Sequence, residues 1–298
     1  MSKHAGLLLL AGLLLVWAGC SSAPKDQPQP RSTALEAAKF AEYGNTFFNE
    51  ARYTEAAEMY SLAMNSYIRI DDQLGSSICY NALGKTFLAQ GESEKAQRMF
   101  ESAADTITIF SPLSSAAPKV KQAAAETYNN LGEFAYKTGK LNAALQWFEE
   151  GIALLEDEKE LADALAILLH NRGSVYRARN ELDAARQQFE RALEINTKRD
   201  NRIELATNHY MLAVIALQRQ NTDAAIRHAQ TALEHDKLSE NSIGIGHDLA
   251  LLGRAQIAAG NRESGAEYLR RARSIFAALE LDGDYQKVVE YLQRNNLE

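Results

Sequence analysis

Small and apolar positions recur along this chain as paired helical stripes, each pair split by a short polar break. From Thr127 to Leu155, Tyr128, Leu131 and Ala135 share one helical face, with Gly132 beside Leu131. After the break at Thr138-Gly139-Lys140, Ala144, Phe148 and Gly151 form a second stripe. A glycine or alanine at a helix crossing lets two backbones approach, and an aromatic ring fills the space beside it. Gly139 suits the left-handed conformation that ends a helix. The stretch reads as a helix–turn–helix hairpin that cannot bury its apolar face alone.

The same arrangement returns five more times. The small residue of the first helix is Gly44, Gly84, Gly132, Gly173, Ala213 and Gly253, in steps of 40, 48, 41, 40 and 40 residues. Twelve positions after each comes Ala56, Ala96, Ala144, Ala185, Ala225 or Gly265. Four further on stands a bulky residue, Tyr60, Phe100, Phe148, Phe189 or Leu269; the fifth copy has Ala229 there. The pattern predicts helix pairs 35–49/54–70, 72–90/93–110, 120–137/141–155, 159–178/182–196, 201–219/222–235 and 239–259/262–279. A last amphipathic helix over 284–294 reads as a polar cap. The step of 48 contains the extra segment Ser111-Pro112-Leu113-Ser114-Ser115-Ala116-Ala117-Pro118, and no proline follows it. Gly91, Gly139, Asn180 and Gly260 mark chain reversals.

These residues resemble the tetratricopeptide repeat, over about Leu35 to Leu279. The family's aromatic or leucine place is filled by Phe40, Tyr80, Tyr128, Leu169, His209 and Leu249. The period of about 40 is similar to the longer-helix variety found in kinesin light chains and some bacterial regulators. The resemblance implies an all-α fold: a right-handed solenoid of about six hairpins, residues 34–280, closed by a C-terminal helix within 281–298.

The N-terminus adds a second signal. Ala5 to Ala18 is an apolar run of fourteen residues ending in Trp17-Ala18-Gly19-Cys20-Ser21-Ser22. The run is short for a bilayer span and fits a signal-peptide core. Its end resembles a bacterial lipobox. That implies a signal peptide over 1–19, lipidation of Cys20, and a Pro-rich tether over 20–33 with Pro24, Pro28 and Pro30. Two or more acyl chains give stable anchoring. The absence of Asp after Cys20 resembles outer-membrane sorting, so the expectation is the periplasmic face of a bacterial outer membrane. Cys79, the other cysteine, reads as a packed thiol.

Composition adds little: 298 residues with a net charge of −7 give no basic footprint for nucleic acid. No phosphate loop, metal-ligand set or nucleophile constellation is present, so neither cofactor nor enzymatic activity is expected.

In the family, first helices line the concave side, and contacts cluster at recurring places. On that resemblance the groove residues are Asn45, Asn81, Lys85, Asn129, Asn130, Glu133, Tyr136, His170, Asn171, Arg177, Tyr210, His247 and Arg254. Asn129-Asn130 resembles the paired asparagines that grip a peptide backbone, since an amide both donates and accepts. The carboxylate clamp of chaperone-tail binders is not matched: Asn45 fits one place, but Ala41 stands where a lysine is needed. His209 occupies a packing place, whereas His170 and His247 are expected to face the groove. The expected function is a scaffold or adaptor binding an envelope protein or peptide, in pilus and secretin assembly or peptidoglycan processing. The alternative is an accessory lipoprotein of a periplasmic solute-transport system, carrying a small ligand in an apolar tunnel.

Overall fold

The structure is a computed structural model that describes residues 30–297. The signal peptide, Cys20 and most of the tether lie outside the described residues. Thirteen α-helices follow in order: α1 Pro30–Asn49, α2 Tyr53–Arg69, α3 Gln73–Ala89, α4 Ser93–Ile107, α5 Pro118–Lys137, α6 Leu141–Leu155 and α7 Ala162–Ala178. They continue as α8 Leu182–Arg199, α9 Arg202–Gln218, α10 Thr222–Leu238, α11 Ser242–Ala258, α12 Arg262–Ala278 and α13 Asp282–Arg294. None of the described helices is long and apolar enough to cross a membrane. Consecutive helices pair as antiparallel hairpins, and each hairpin stacks on the next. This is a tetratricopeptide-type solenoid with α13 covering its open end.

The hairpin turn has one device, repeated six times. Seven residues after each small position stands a residue with positive φ: Ala51, Gly91, Gly139, Asn180, Gln220 and Gly260. At Gly139 the reversal is closed by Gly139 N–H to Tyr136 C=O at 3.0 Å and Lys140 N–H to Ala135 C=O at 2.8 Å, which caps the orphan carbonyls of α5. Ala51 and Gln220 hold the same left-handed turn despite their Cβ atoms. Their composition gave no sign of it; only the repeat phase does. Most junctions between repeats use the same conformation at Asp71, Asp200, Glu240 and Glu280.

The small positions work as the pattern implies. A Cβ on Gly132 would stand 2.5 Å from the Phe148 ring, and one on Gly44 2.6 Å from the Tyr60 ring. Phe100, Phe148, Phe189 and Phe276 are among the largest fully buried side chains, and the interior runs through the stack as consecutive clusters. Where the fifth repeat lacks the bulky residue, Ala213 and Ala229 are both fully buried.

Several boundaries differ from the expected ones: α7 begins at Ala162 rather than 159, behind a 3-10 turn, α8 and α10 run three residues past 196 and 235, and three further differences have a local cause. α1 begins at Pro30, inside the stretch read as an extended tether, because proline at the first helical position loses no hydrogen bond. The fourth helix ends at Ile107, with Thr108–Phe110 tightening into a 3-10 turn. α11 begins at Ser242 rather than 239: Glu240 is left-handed, and the Asn241 side chain caps the new helix by accepting from Gly244 N–H at 3.3 Å.

Candidate partner-binding groove

The first helices of successive repeats, α1, α3, α5, α7, α9 and α11, form one wall of the stack. A trough of about 630 Å³ opens along its N-terminal half, lined by Phe48 of α1, Lys85 and Leu88 of α3, Glu126, Asn129 and Glu133 of α5, and Ile167 of α7. Its floor is apolar and its rim is polar. Lys85 and Glu126 pair across the rim at 2.7 Å, each about half-exposed.

Between these helices runs a ladder of side-chain hydrogen bonds. Asn81 donates to Thr127 Oγ1 at 2.7 Å and accepts from Asn130 Nδ2 at 3.1 Å. Asn171 donates to Asn129 Oδ1 at 2.8 Å and to Glu133 Oε1 at 3.2 Å, while Asn129 donates to Glu133 Oε1 at 2.8 Å. His170 Nδ1 meets Asn208 Oδ1 at 2.9 Å. Asn208 is fully buried and donates to the Glu204 carbonyl, so its Oδ1 accepts and His170 carries its proton on Nδ1. Burial holds the His170 pKa below the ordinary histidine range. Each rung ties one repeat to the next.

This ladder corrects part of the expected groove. Asn81 is 2% exposed, wedged between α3 and α5, and is not open to a partner. His170 is turned to Asn208 and sits edge-on to Phe189, 5.0 Å between ring centres. Asn45 accepts from the Tyr60 hydroxyl at 2.7 Å within its own repeat. Tyr136 packs beside the core around Phe148. Lys85, Asn129, Asn130 and Glu133 do line the trough, although Asn130 is largely buried. Thr127 and Asn208, which complete the rungs, were not singled out from the sequence. Both sit at the third place of their repeats, and that shared place was the signal.

The ladder stops at repeat five. Tyr210 stands at the place of Asn81, Asn129 and His170, but among the described residues it makes no side-chain hydrogen bond to the next repeat, whose Asp248 and Leu251, at the third and sixth places, line the cavities on either side of it. Here a second cavity of about 440 Å³ is lined by Arg177, Tyr210, Leu251 and Arg254. A third, of about 320 Å³, lies on the other side of Tyr210 and reaches His247, Asp236 and Asp248. Burial raises the Asp248 pKa to about 8, and Asp236 beside it adds to the rise. Asp248 therefore holds its proton at neutral pH. His247 Nε2 lies 3.9 Å from Asp284 of α13, which brings the cap against this end of the groove. Behind the wall, His209 meets His228 at 3.0 Å between their Nδ1 atoms and stacks on His235. Burial, with the neighbouring imidazoles, lowers His209 to about 4. Among the described residues no group of three His, Cys, Asp or Glu is placed to hold a metal ion. Cys79 is buried, and burial raises its thiol to about 12, so it stays protonated at neutral pH.

Stacked helical hairpins with a side-chain-lined inner wall define a tetratricopeptide solenoid, a class built for protein interaction. Residues 41–215, more than half of the chain, match the family described as the MalT-like TPR region; the chain belongs to that family. No curated protein matches it in sequence. Among solved structures it is similar to RapI, at TM-score 0.70 and 16% identity over 88% of this chain and 92% of that one. It is also similar to PilF of Pseudomonas aeruginosa, at 0.61 and 16% over 87% and 99%. A third is PilW, a type IV pilus biogenesis factor, at 0.64 and 15% over 85% and 98%. At these identities the likeness is one of fold.

Proposed function

We propose that this chain is a lipid-anchored adaptor of the bacterial envelope. Cys20 carries the anchor, and the solenoid stands at the periplasmic face of the outer membrane. The trough holds an extended segment of an envelope protein, and the chain performs no chemistry of its own. The observation that carries the reading is the trough itself, with an apolar floor, a polar rim and contributions from four successive repeats. Because the rungs beneath it satisfy one another, its walls are rigid before a partner arrives, which lowers the ordering entropy of binding. The fold likeness to PilW supports a role in assembling an envelope machine. The lipobox resemblance around Cys20 supports the anchor.

The reading is tested in the host with a photo-crosslinker at Leu88. One envelope protein should be captured reproducibly. Ile167→Asp, on the exposed trough wall, should abolish capture while leaving the helical melt unchanged. Cys20→Ala should release the chain from the membrane fraction. Capture that survives Ile167→Asp would place the partner elsewhere. A chain still membrane-bound without Cys20 would remove the lipid anchor.

A further inference from the structure

The C-terminal end of the inner wall carries two guanidinium groups that have no carboxylate partner among the described residues. Arg177 comes from α7 and Arg254 from α11, with Tyr210 of α9 between them, and all three line one cavity of about 440 Å³. Arg177 is the sharper observation: its Nε is buried and has no acceptor among the described residues. Arg254 rests over the Tyr291 ring of the cap, 5.6 Å from its centre, a contact that orients the guanidinium. Three neighbouring arginines find acceptors instead. Arg179 and Arg219 reach carboxylates at 2.7 Å, and Arg172 reaches Gln188 at 2.6 Å. The Tyr210 phenol feels both cations: burial raises its pKa, while Arg254 and Arg177 pull it down.

A buried donor without an acceptor is destabilising, and a guanidinium presents a planar fork matched to a carboxylate. We infer that Arg177, Tyr210 and Arg254 form a carboxylate-binding subsite at the C-terminal end of the groove. The group it takes is the carboxylate of an acidic side chain or of a peptide C-terminus. This deepens the adaptor reading and rests on it. The subsite is distinct from the clamp that repeat one lacks, since its cations come from repeats four and six. A singly charged group fits better than a phosphate, because the Asp284 carboxylate also acts on Tyr210 and limits the local positive potential. Apart from Gln218, the remaining walls, Met211, Val214, Leu217 and Leu251, are apolar and strengthen a charge-assisted bond by excluding water.

The test uses the full chain in detergent micelles and three fluorescent octapeptides of one Ala/Leu/Gln sequence. The first is amidated and neutral; the second is amidated with two glutamates at one end; the third is neutral with a free C-terminal carboxylate. At low salt, at least one carboxylate peptide should bind about tenfold or more tightly than the neutral one. The preference should collapse in 0.5 M NaCl and in Arg177→Gln/Arg254→Gln. That variant should bind the neutral peptide as the parent does, which shows that it is folded. Which carboxylate peptide gains identifies the source of the group. Equal binding of all three, with loss on Ile167→Asp, overturns the subsite and leaves the adaptor reading standing. A preference that persists in the double variant also overturns it. No binding of any peptide overturns both readings.

Discussion

The two halves of the inner wall are built from the same repeat and differ in how their polar groups are satisfied. From repeat two to repeat five, each side chain at the recurring groove place finds its partner in the next repeat: Asn81 with Thr127 and Asn130, Asn129 with Asn171, His170 with Asn208. Around Tyr210 and toward the C-terminus partners are missing among the described residues: Arg177 Nε, which reaches this end of the wall from repeat four, His235 Nδ1 and Asp248 Oδ2 are buried without one. A paired polar group holds repeats in register and shapes a trough. An unpaired one is a cost to folding that a bound ligand or a proton can relieve. The first half is arranged for rigidity and the second for response.

The largest expected effect tests the rigid half. Phe148 is 1% exposed and packs on Gly132, so Phe148→Ala should lose about 3–5 kcal/mol in urea unfolding. Repeat five already has Ala229 in that place, fully buried in one cluster with Ala213. A loss below about 1 kcal/mol would mean that the central repeats are not close-packed. Next, Asn81→Ala strands Thr127 and Asn130 in the interior and should cost about 1–3 kcal/mol. Its double mutant with Asn130→Ala should be less than additive, as expected for one shared rung.

The responsive half should show itself as pH dependence. His209 is lowered from 6.5 to about 4 in the folded chain. Below pH 6.5 the unfolded chain takes a proton that the folded one refuses, so stability falls from about pH 6.5 to about pH 4 and levels off below. With its part exposure to solvent allowed for, the loss is on the order of 1–2 kcal/mol. Comparing His209→Leu with the parent at pH 7 and pH 4.5 isolates it. Asp248 acts in the opposite sense. Raised from 3.8 to about 8, it contributes stability that is complete below pH 3.8 and lost as pH rises toward 8. Asp248→Asn should flatten that slope. The smallest effect carries the clearest sign: Arg177→Leu removes an unsatisfied donor, so thermal unfolding should find it neutral to about 1 kcal/mol more stable. A loss of more than 1 kcal/mol would show that Arg177 has a structural partner, and the contrast between the halves would fail.

The periodicity of small and bulky positions was enough to place six hairpins and a cap. Packing a glycine against an aromatic ring at a helix crossing leaves few alternatives, and six copies in phase reinforce one another. Boundaries were less legible. Ala51 and Gln220 turn the chain without glycine, because the repeat imposes the left-handed turn on whatever residue stands there. The site was legible only in part. Sequence placed thirteen residues on the inner wall by their repeat position. It could not tell Asn129, which lines the trough, from Asn81, which is sealed between helices. That difference depends on what the next repeat, some 40 residues away, presents across the gap: Thr127 and Asn130 against Asn81, and Asn171 alone against Asn129. Local sequence sets the shape of a hairpin because its contacts lie within one period. Whether a polar group is spent on the neighbouring repeat or left for a partner is decided where the repeats meet, and there only the tertiary structure can answer.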